Sequence, residues 1–258
     1  MTAPAPARVA VVVEGFLTSY RRSWRGTLVT SFVSPVLFLL AIGVGLGGRV
    51  DDTGSLGGLS YLDFVAPGLL AATAMQIAST ESTYPVMAGI KWLRTFHATL
   101  ATPVGVPDLV AGRLAWVALR VSVSAAVFLL VTLPFGVAAS PLAVLALPAA
   151  LLTGLAFGAP LEALSAHVRQ EAAFVGVFRF VVLPMFLFAG TFFPVDQLPA
   201  WLQVVAWCTP LAHGVALCRD LMTADAGPAD LAHAAVLAAF AAVGAALALV
   251  AYRRRLEP

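Results

Sequence analysis

About half of this chain is made of six long apolar stretches, and no nucleotide-binding motif lies between them. A helix needs about 20 apolar residues to cross the roughly 30 Å hydrocarbon core of a bilayer. Runs of that kind lie at about 28–47, 62–83, 113–137, 141–164, 173–193 and 231–251. Of the 258 residues, 60% are hydrophobic and 11% charged, against roughly 45–50% and about 25% in soluble domains. The mean hydropathy is +0.94. The charges gather in short segments between the runs, so no stretch remains for a separate soluble domain. The expected fold is an all-α polytopic membrane protein with six transmembrane helices, in which residues 1–258 form one transmembrane domain. The net charge of +2 is too small to imply nucleic-acid binding.

The connections add two elements. In 8–25, Val9, Val13, Phe16, Tyr20 and Trp24 recur at helical spacing, while Glu14, Thr18, Arg21, Arg22 and Arg25 fill the other side. That pattern predicts an amphipathic N-terminal interfacial helix, or a plain helical lead-in to the first span. The segment 194–230 is too apolar for a free loop and is broken by Pro194, Pro199 and Pro210. Backbone without helical bonds is tolerated at membrane depth only where protein or a cavity covers it. A re-entrant helical hairpin before the last span fits, with Trp201 and Trp207 at the interface. Two helices lying flat on the outer surface are the alternative.

Basic residues mark the cytoplasmic side. With the N-terminus inside, Arg8, Arg21, Arg22, Arg25, Lys91, Arg94, Arg169 and Arg253 to Arg255 are cytoplasmic, and only Arg49 and Arg219 fall in outer loops. The outer loops collect Asp51, Asp52, Asp196, Asp220, Asp225 and Asp230. Both termini are therefore expected inside. Residues 2–7 are rich in Ala and Pro and carry no cleavable signal pattern.

Catalytic and metal motifs are missing. The lone lysine, Lys91 in GIKW, does not make a P-loop, and no GxSxG, HExxH or paired-carboxylate pattern occurs. His97, His167, His213 and His233 are scattered singly and Cys208 and Cys218 match no zinc spacing, so no metal site is expected. The two cysteines read most simply as small buried thiols, with a disulfide as the alternative.

Charges inside spans are costly unless paired or hydrated. Glu81, Arg120, Glu162 and Arg179 are the candidates, all toward the cytoplasmic side. Glu81 can pair with Arg120 and Glu162 with Arg179, either as a gate or as structural ion pairs. In the inner segment 84–112, a short helix over WLRTFHATL would project Trp92, Phe96 and Leu100 on one side, and TPVGVPD would end it. Such an element either docks in a partner's groove or lies on the membrane.

Three passages, YLDFVAPGLLAATAM, RTFHATLATPVGVPDLVAGRLAW and FPVDQLPAWLQVVAWCTPLAHGVALCRDL, resemble the permease subunits of type-2 ABC exporters, in the branch of nodulation-factor, polysaccharide and daunorubicin-type drug exporters. The likeness runs over nearly the whole chain. It implies a six-span permease of the bacterial plasma membrane, acting as a dimer with a second permease copy. Two separate ATPase subunits would bind ATP and Mg, and no cofactor would sit in this chain. It implies ATPase coupling through Lys91, Trp92, Arg94, Thr95, Phe96, His97 and Thr102. It also implies an outer gate around Phe192, Phe193, Pro194, Pro199, Trp201 and His213. The small residues Gly43, Gly45 and Gly47 of the first span permit close helix contact and would line the dimer seam. The expected cargo is an amphiphilic drug, a lipid or a lipid-linked saccharide. Spans dominated by Ala, Leu and Val depart from the aromatic rows of the saccharide exporters, although Phe174, Phe178, Phe180, Phe186 and Phe188 are available. A proton-coupled carrier would need ionisable residues at mid-membrane and often internal repeats; a scaffold or enzyme of envelope synthesis would need a polar constellation. Neither feature is found.

Overall fold

The computed structural model describes residues 5–21, 37–41, 59–137 and 141–257. Every regular element among them is helical. Helix α1 is Ala5–Tyr20 and α2 is Tyr61–Glu81, followed by the short α3, Tyr84–Met87, and a π-turn, Ala88–Trp92. Next come α4 (Thr95–Leu100), α5 (Val106–Thr132) and α6 (Ala146–His167). Helices α7 (Ala172–Val177) and α8 (Leu183–Phe188) flank a second π-turn, Phe178–Val182. Then follow α9 (Ala200–Trp207), α10 (Pro210–Thr223) and the long α11 (Pro228–Leu256).

Four of these stretches are long and apolar enough to cross a membrane: Tyr61–Trp92, Val106–Phe135, Pro141–His167 and Pro228–Leu256. The α9–α10 pair makes a fifth if its two halves are taken together; they meet at an 84° bend. The fifth expected span is the shorter apolar helix Ala172–Phe188. The first expected span lies largely outside the described residues, as do Arg22, Trp24, Arg25, Gly43, Gly45 and Gly47; within it, 37–41 is helical.

Two helix starts follow from one sequence device. In Gly105-Val-Pro-Asp108 and Gly227-Pro-Ala-Asp230, proline suits the first helical turn, where its missing N–H costs nothing. The aspartate three residues on accepts from the glycine N–H, at 3.0 Å from Gly105 and 2.9 Å from Gly227. This carries α5 back to Val106, whereas the sequence reading began that span at 113 and treated 102–108 as a break.

Helix α2 is the axis of the bundle. Of its most apolar stretch 72% is buried within the chain, against 22% for α11. It packs on α5, α6 and α10 through Leu70, Met75, Val117, Val121, Phe128 and Leu211. On α11 the side chains of Leu231, Val243, Leu247 and Val250 stay 45–76% exposed, as expected of a helix facing lipid. Close approach substitutes for hydrophobic drive inside a bilayer. A methyl group at Gly244 of α11 would lie 2.4 Å from Pro160 Cδ of α6, so the two backbones touch there. A second core joins Val12, Ile90, Phe96, Leu109 and Tyr252 at the end of the bundle that holds the termini of α2 and α6.

Candidate functional site

The charged residues form a network at that end. Glu81 closes α2; its carboxylate accepts from Arg120 Nε and Trp116 Nε1, each at 3.0 Å. Arg113, one turn before Trp116 on α5, donates to Glu162 Oε1 from Nε at 3.1 Å and Nη2 at 2.9 Å. It also donates to the Glu81 carbonyl. The other oxygen of Glu162 accepts from the Tyr252 hydroxyl of α11. Burying a charge costs several kcal/mol unless its partners replace the lost water. Here a guanidinium, a phenol and a carboxylate satisfy one another, and helices α2, α5, α6 and α11 are locked together.

Helix α1 lies on this network. Its packed side carries Val9, Val12, Val13, Phe16 and Tyr20, with Val12 buried. Val12 seats against Gly112, where a methyl group would come within 2.5 Å of it. The rings of Phe16 and Tyr20 lie 4.9 and 4.4 Å from the guanidinium carbons of Arg113 and Arg120. Arg8 Nε donates to Asp108 Oδ2 at 2.8 Å, so the carboxylate that caps α5 also anchors α1.

Of the two pairs read from the sequence, Glu81–Arg120 forms and Glu162–Arg179 does not. Arg179 sits in the Phe178–Val182 turn with its side chain exposed, and Arg113 takes its place. Arg113, Trp116 and Tyr252 were not singled out, yet 113, 116 and 120 share a helical face, a signal open to inspection.

The 84–104 segment is not one helix over WLRTFHATL. The π-turn ends at Trp92, and Arg94 adopts left-handed backbone at φ 50 before α4 begins. That conformation costs a non-glycine residue about 1–2 kcal/mol. The break turns the residues two ways. Lys91, Trp92, Arg94, Thr95, His97 and Thr102 are exposed. Phe96 turns inward, 2% exposed, with its ring stacked 5.9 Å from that of Tyr252 and against Gly89. Trp92, Phe96 and Leu100 therefore do not share a face. Lys91 Nζ reaches the Arg169 carbonyl at 3.2 Å, tying the segment to the turn after α6.

At the opposite end of α2, Tyr61 donates to the Phe192 carbonyl at 3.3 Å. The Phe192 ring lies 5.0 Å from Phe186 and 6.0 Å from Phe38. Phe193 is half-buried. Pro194 and Pro199 cap the helical turns that follow them. Trp201 is 68% exposed. His213 Nδ1 and His233 Nδ1 are 2.8 Å apart, and His213 Nε2 is 2.9 Å from the Trp207 carbonyl. Arg219, within the segment expected to form a helical hairpin, lies in α10 against α2. Cys208 is exposed and Cys218 buried, both as free thiols, so the reading of two buried thiols holds for Cys218 alone. Among the described residues no group of three His, Cys, Asp or Glu side chains is placed to hold a metal.

The described residues form a bundle of apolar helices with a polar network at one end and a bent helical pair at the other, the form of a multi-pass membrane protein. The ABC-2 type transporter family profile matches residues 8–223, and the chain belongs to that family. It is 32% identical to Nodulation protein J of Rhizobium meliloti (strain 1021) over 253 residues, 97% of this chain and 94% of the relative. It is 31% identical to Nodulation protein J of Rhizobium leguminosarum bv. viciae over 241 residues, 92% of this chain and 91% of the relative. A shorter match of 57 residues, 37% identical, covers 22% of this chain and 15% of the probable multidrug ABC transporter permease YbhR of Escherichia coli (strain K12).

Proposed function

We propose that this chain is the membrane-spanning subunit of an ATP-driven exporter, energised by two copies of a separate ATPase that bind ATP and Mg. Its family supplies the class. The observation that carries the mechanism is the 91–102 segment, which presents Lys91, Arg94, Thr95 and His97 outward while Phe96 plugs it into the core beside Tyr252. Tyr252 in turn bonds to Glu162, which holds Arg113. Movement of the ATPases against the exposed face would pass through Phe96 to α11 and through the ion network to α2, α5 and α6. Two permease copies would then rock between inward- or lateral-open and outward-open forms.

In this reading six helices cross the bacterial plasma membrane with both termini cytoplasmic, supported by the placement of the basic residues. The 84° bend of α9–α10 is a re-entrant hairpin capping the outer end of the path. Glu81, Arg120 and Glu162 act by holding the inner ends of the helices together rather than by relaying protons. The apolar helix surfaces suit an amphiphilic drug, a lipid or a lipid-linked saccharide, and the multidrug permease among the relatives supports the first.

The test is purification of the tagged chain from its native membrane in a gentle detergent, followed by export assays with Arg94→Glu. A stoichiometric P-loop partner, and loss of export with ATP hydrolysis retained in the variant, are expected. A chain that comes out alone from a detergent that keeps a known ABC complex intact, or unchanged export by the variant, overturns the reading.

A further inference from the structure

We propose that the open cavity lined by the N-terminal turns of α2, the loop at Gly190 and the α9–α10 pair is a binding site for a monoanionic group, a phosphodiester or a carboxylate, held by Arg219. The cavity measures about 230 Å³, and its walls include Phe64, Gly190, Asp196, Gln203, Trp207 and Arg219. Nothing in the transport reading requires it, and its test does not depend on that reading.

Arg219 differs from the other packed arginines of this chain. Arg113, Arg120 and Arg8 each meet a carboxylate, at 2.9, 3.0 and 2.8 Å. Arg219, half-buried on α10, has no ion-pair partner among the described residues; neither Asp220, its neighbour in sequence, nor Asp196 across the cavity makes one. Its Nε and Nη2 donate to the Phe64 carbonyl at 3.1 and 3.0 Å, and Nη2 donates to the Gly190 carbonyl at 2.7 Å. Its guanidinium carbon lies 3.8 Å above the Phe64 ring. A guanidinium has five N–H donors. Those bonds use the Nε and Nη2 hydrogens, and the two on Nη1 find no acceptor among the described residues.

A strap between α2 and the Gly190 turn would need only the bonds to those two carbonyls. It would not need a full positive charge, and although Asp220 acts on that charge through space, no carboxylate among the described residues bonds to the guanidinium. The carbonyl bonds fix the plane of the guanidinium, and a fixed fork suits the paired oxygens of a phosphate or carboxylate. Trp207 and Phe64 offer apolar walls to the rest of an amphiphile. Gln203 Nε2 donates to the Asp196 and Leu198 carbonyls at 3.0 and 2.8 Å, which fixes the opposite wall. One guanidinium faces the cavity and Asp196 is among its lining residues, so a monoanion is better matched in charge than a dianion. A lipid headgroup and a soluble anion share this chemistry.

The probes are phosphatidylglycerol in mixed micelles, with phosphatidylcholine as the neutral control, and dimethyl phosphate as a soluble phosphodiester. Binding is read as the rise in thermal unfolding temperature of the purified full chain with ligand concentration. Basic residues such as Arg253 to Arg255 attract anionic lipid regardless, so the informative quantity is the difference between wild type and Arg219→Gln. That variant retains side-chain donors and loses the charge. It should weaken the specific component about 10–100-fold, as expected for loss of charge-assisted hydrogen bonds. Ala216→Phe, which fills the cavity and leaves Arg219 in place, should abolish it and guards against a misfolded Arg219 variant. Saturable stabilisation by dimethyl phosphate supports the site and identifies a soluble anion as sufficient; stabilisation by phosphatidylglycerol alone supports it as a headgroup site. Equal responses of wild type and both variants, or no response of the wild type to either probe, overturn the proposal.

Discussion

Arg113 and Glu162 meet at 2.9 Å across α5 and α6, with each side chain only 1% exposed. Removing one partner of such a pair strands the other as a buried charge, at a cost of about 3–5 kcal/mol. Glu162→Leu alone should therefore destabilise the chain by that amount. The double variant Arg113→Leu/Glu162→Leu should lose far less, and adding Tyr252→Phe should remove the remaining unpaired hydroxyl. Thermal or denaturant unfolding in detergent measures this. Strictly additive single losses would show that the residues do not act as a pair.

Two of the tightly packed glycines, Gly244 and Gly112, should respond differently to a methyl group. At Gly244 the obstacle includes the Pro160 backbone nitrogen at 2.5 Å, which cannot turn aside. Gly244→Ala should separate α6 from α11 and cost about 1–3 kcal/mol. At Gly112 the obstacle is the Val12 side chain alone. Gly112→Ala should be rescued by Val12→Ala, and no rescue would mean that α1 is not seated on α5 through these residues. Unfolding midpoints of the three variants decide.

Cys208, exposed at the α9–α10 bend, should react with a maleimide in the folded protein, whereas Cys218 should react only after unfolding. Mass spectrometry of tryptic peptides counts the adducts. In sealed cells, labelling of Cys208 by a membrane-impermeant reagent would place the bend on the outer side, as the proposed orientation requires; protection in cells with labelling in inside-out vesicles would reverse it.

The histidine pair fixes its own tautomers. A carbonyl can only accept, so His213 Nε2 must donate to the Trp207 carbonyl. In the neutral ring its Nδ1 is then an acceptor, and His233 Nδ1 donates across the 2.8 Å gap. Helices α9, α10 and α11 are joined in one chain of bonds, over which the Trp207 ring stacks on His233 at 5.6 Å. His233→Ala should release it at a cost of about 1–3 kcal/mol. Amide hydrogen exchange in α9 should rise while that in α2 stays unchanged.

Some of this architecture was open to sequence reasoning. Glu81 and Arg120 lie at similar depths of apolar runs, which made their pairing possible, and the structure forms it. The prolines at 199 and 210 announced a helix–turn–helix, and the bend lies between them. Arg113 was missed because a boundary drawn at 113 made it a flanking residue, and the GVPD cap puts it two turns inside α5. Nothing in WLRTFHATL marks a break, since Arg94 is neither glycine nor asparagine. Its left-handed backbone is imposed by tertiary packing, with Phe96 drawn into the core. The Glu162 partner was misassigned because charge and depth are necessary for pairing but do not say which face of a helix looks inward.

In the proposed coupling, the stack of Phe96 on Tyr252 makes the last turn of α11 a mechanical handle. Leu256, the end of that helix, lies four positions after Tyr252, so the C-terminal tail is about one turn from the ring beneath the 91–102 surface. A fluorophore placed on the tail would sense displacement of that surface directly. A rigid domain fused without a linker would brake it.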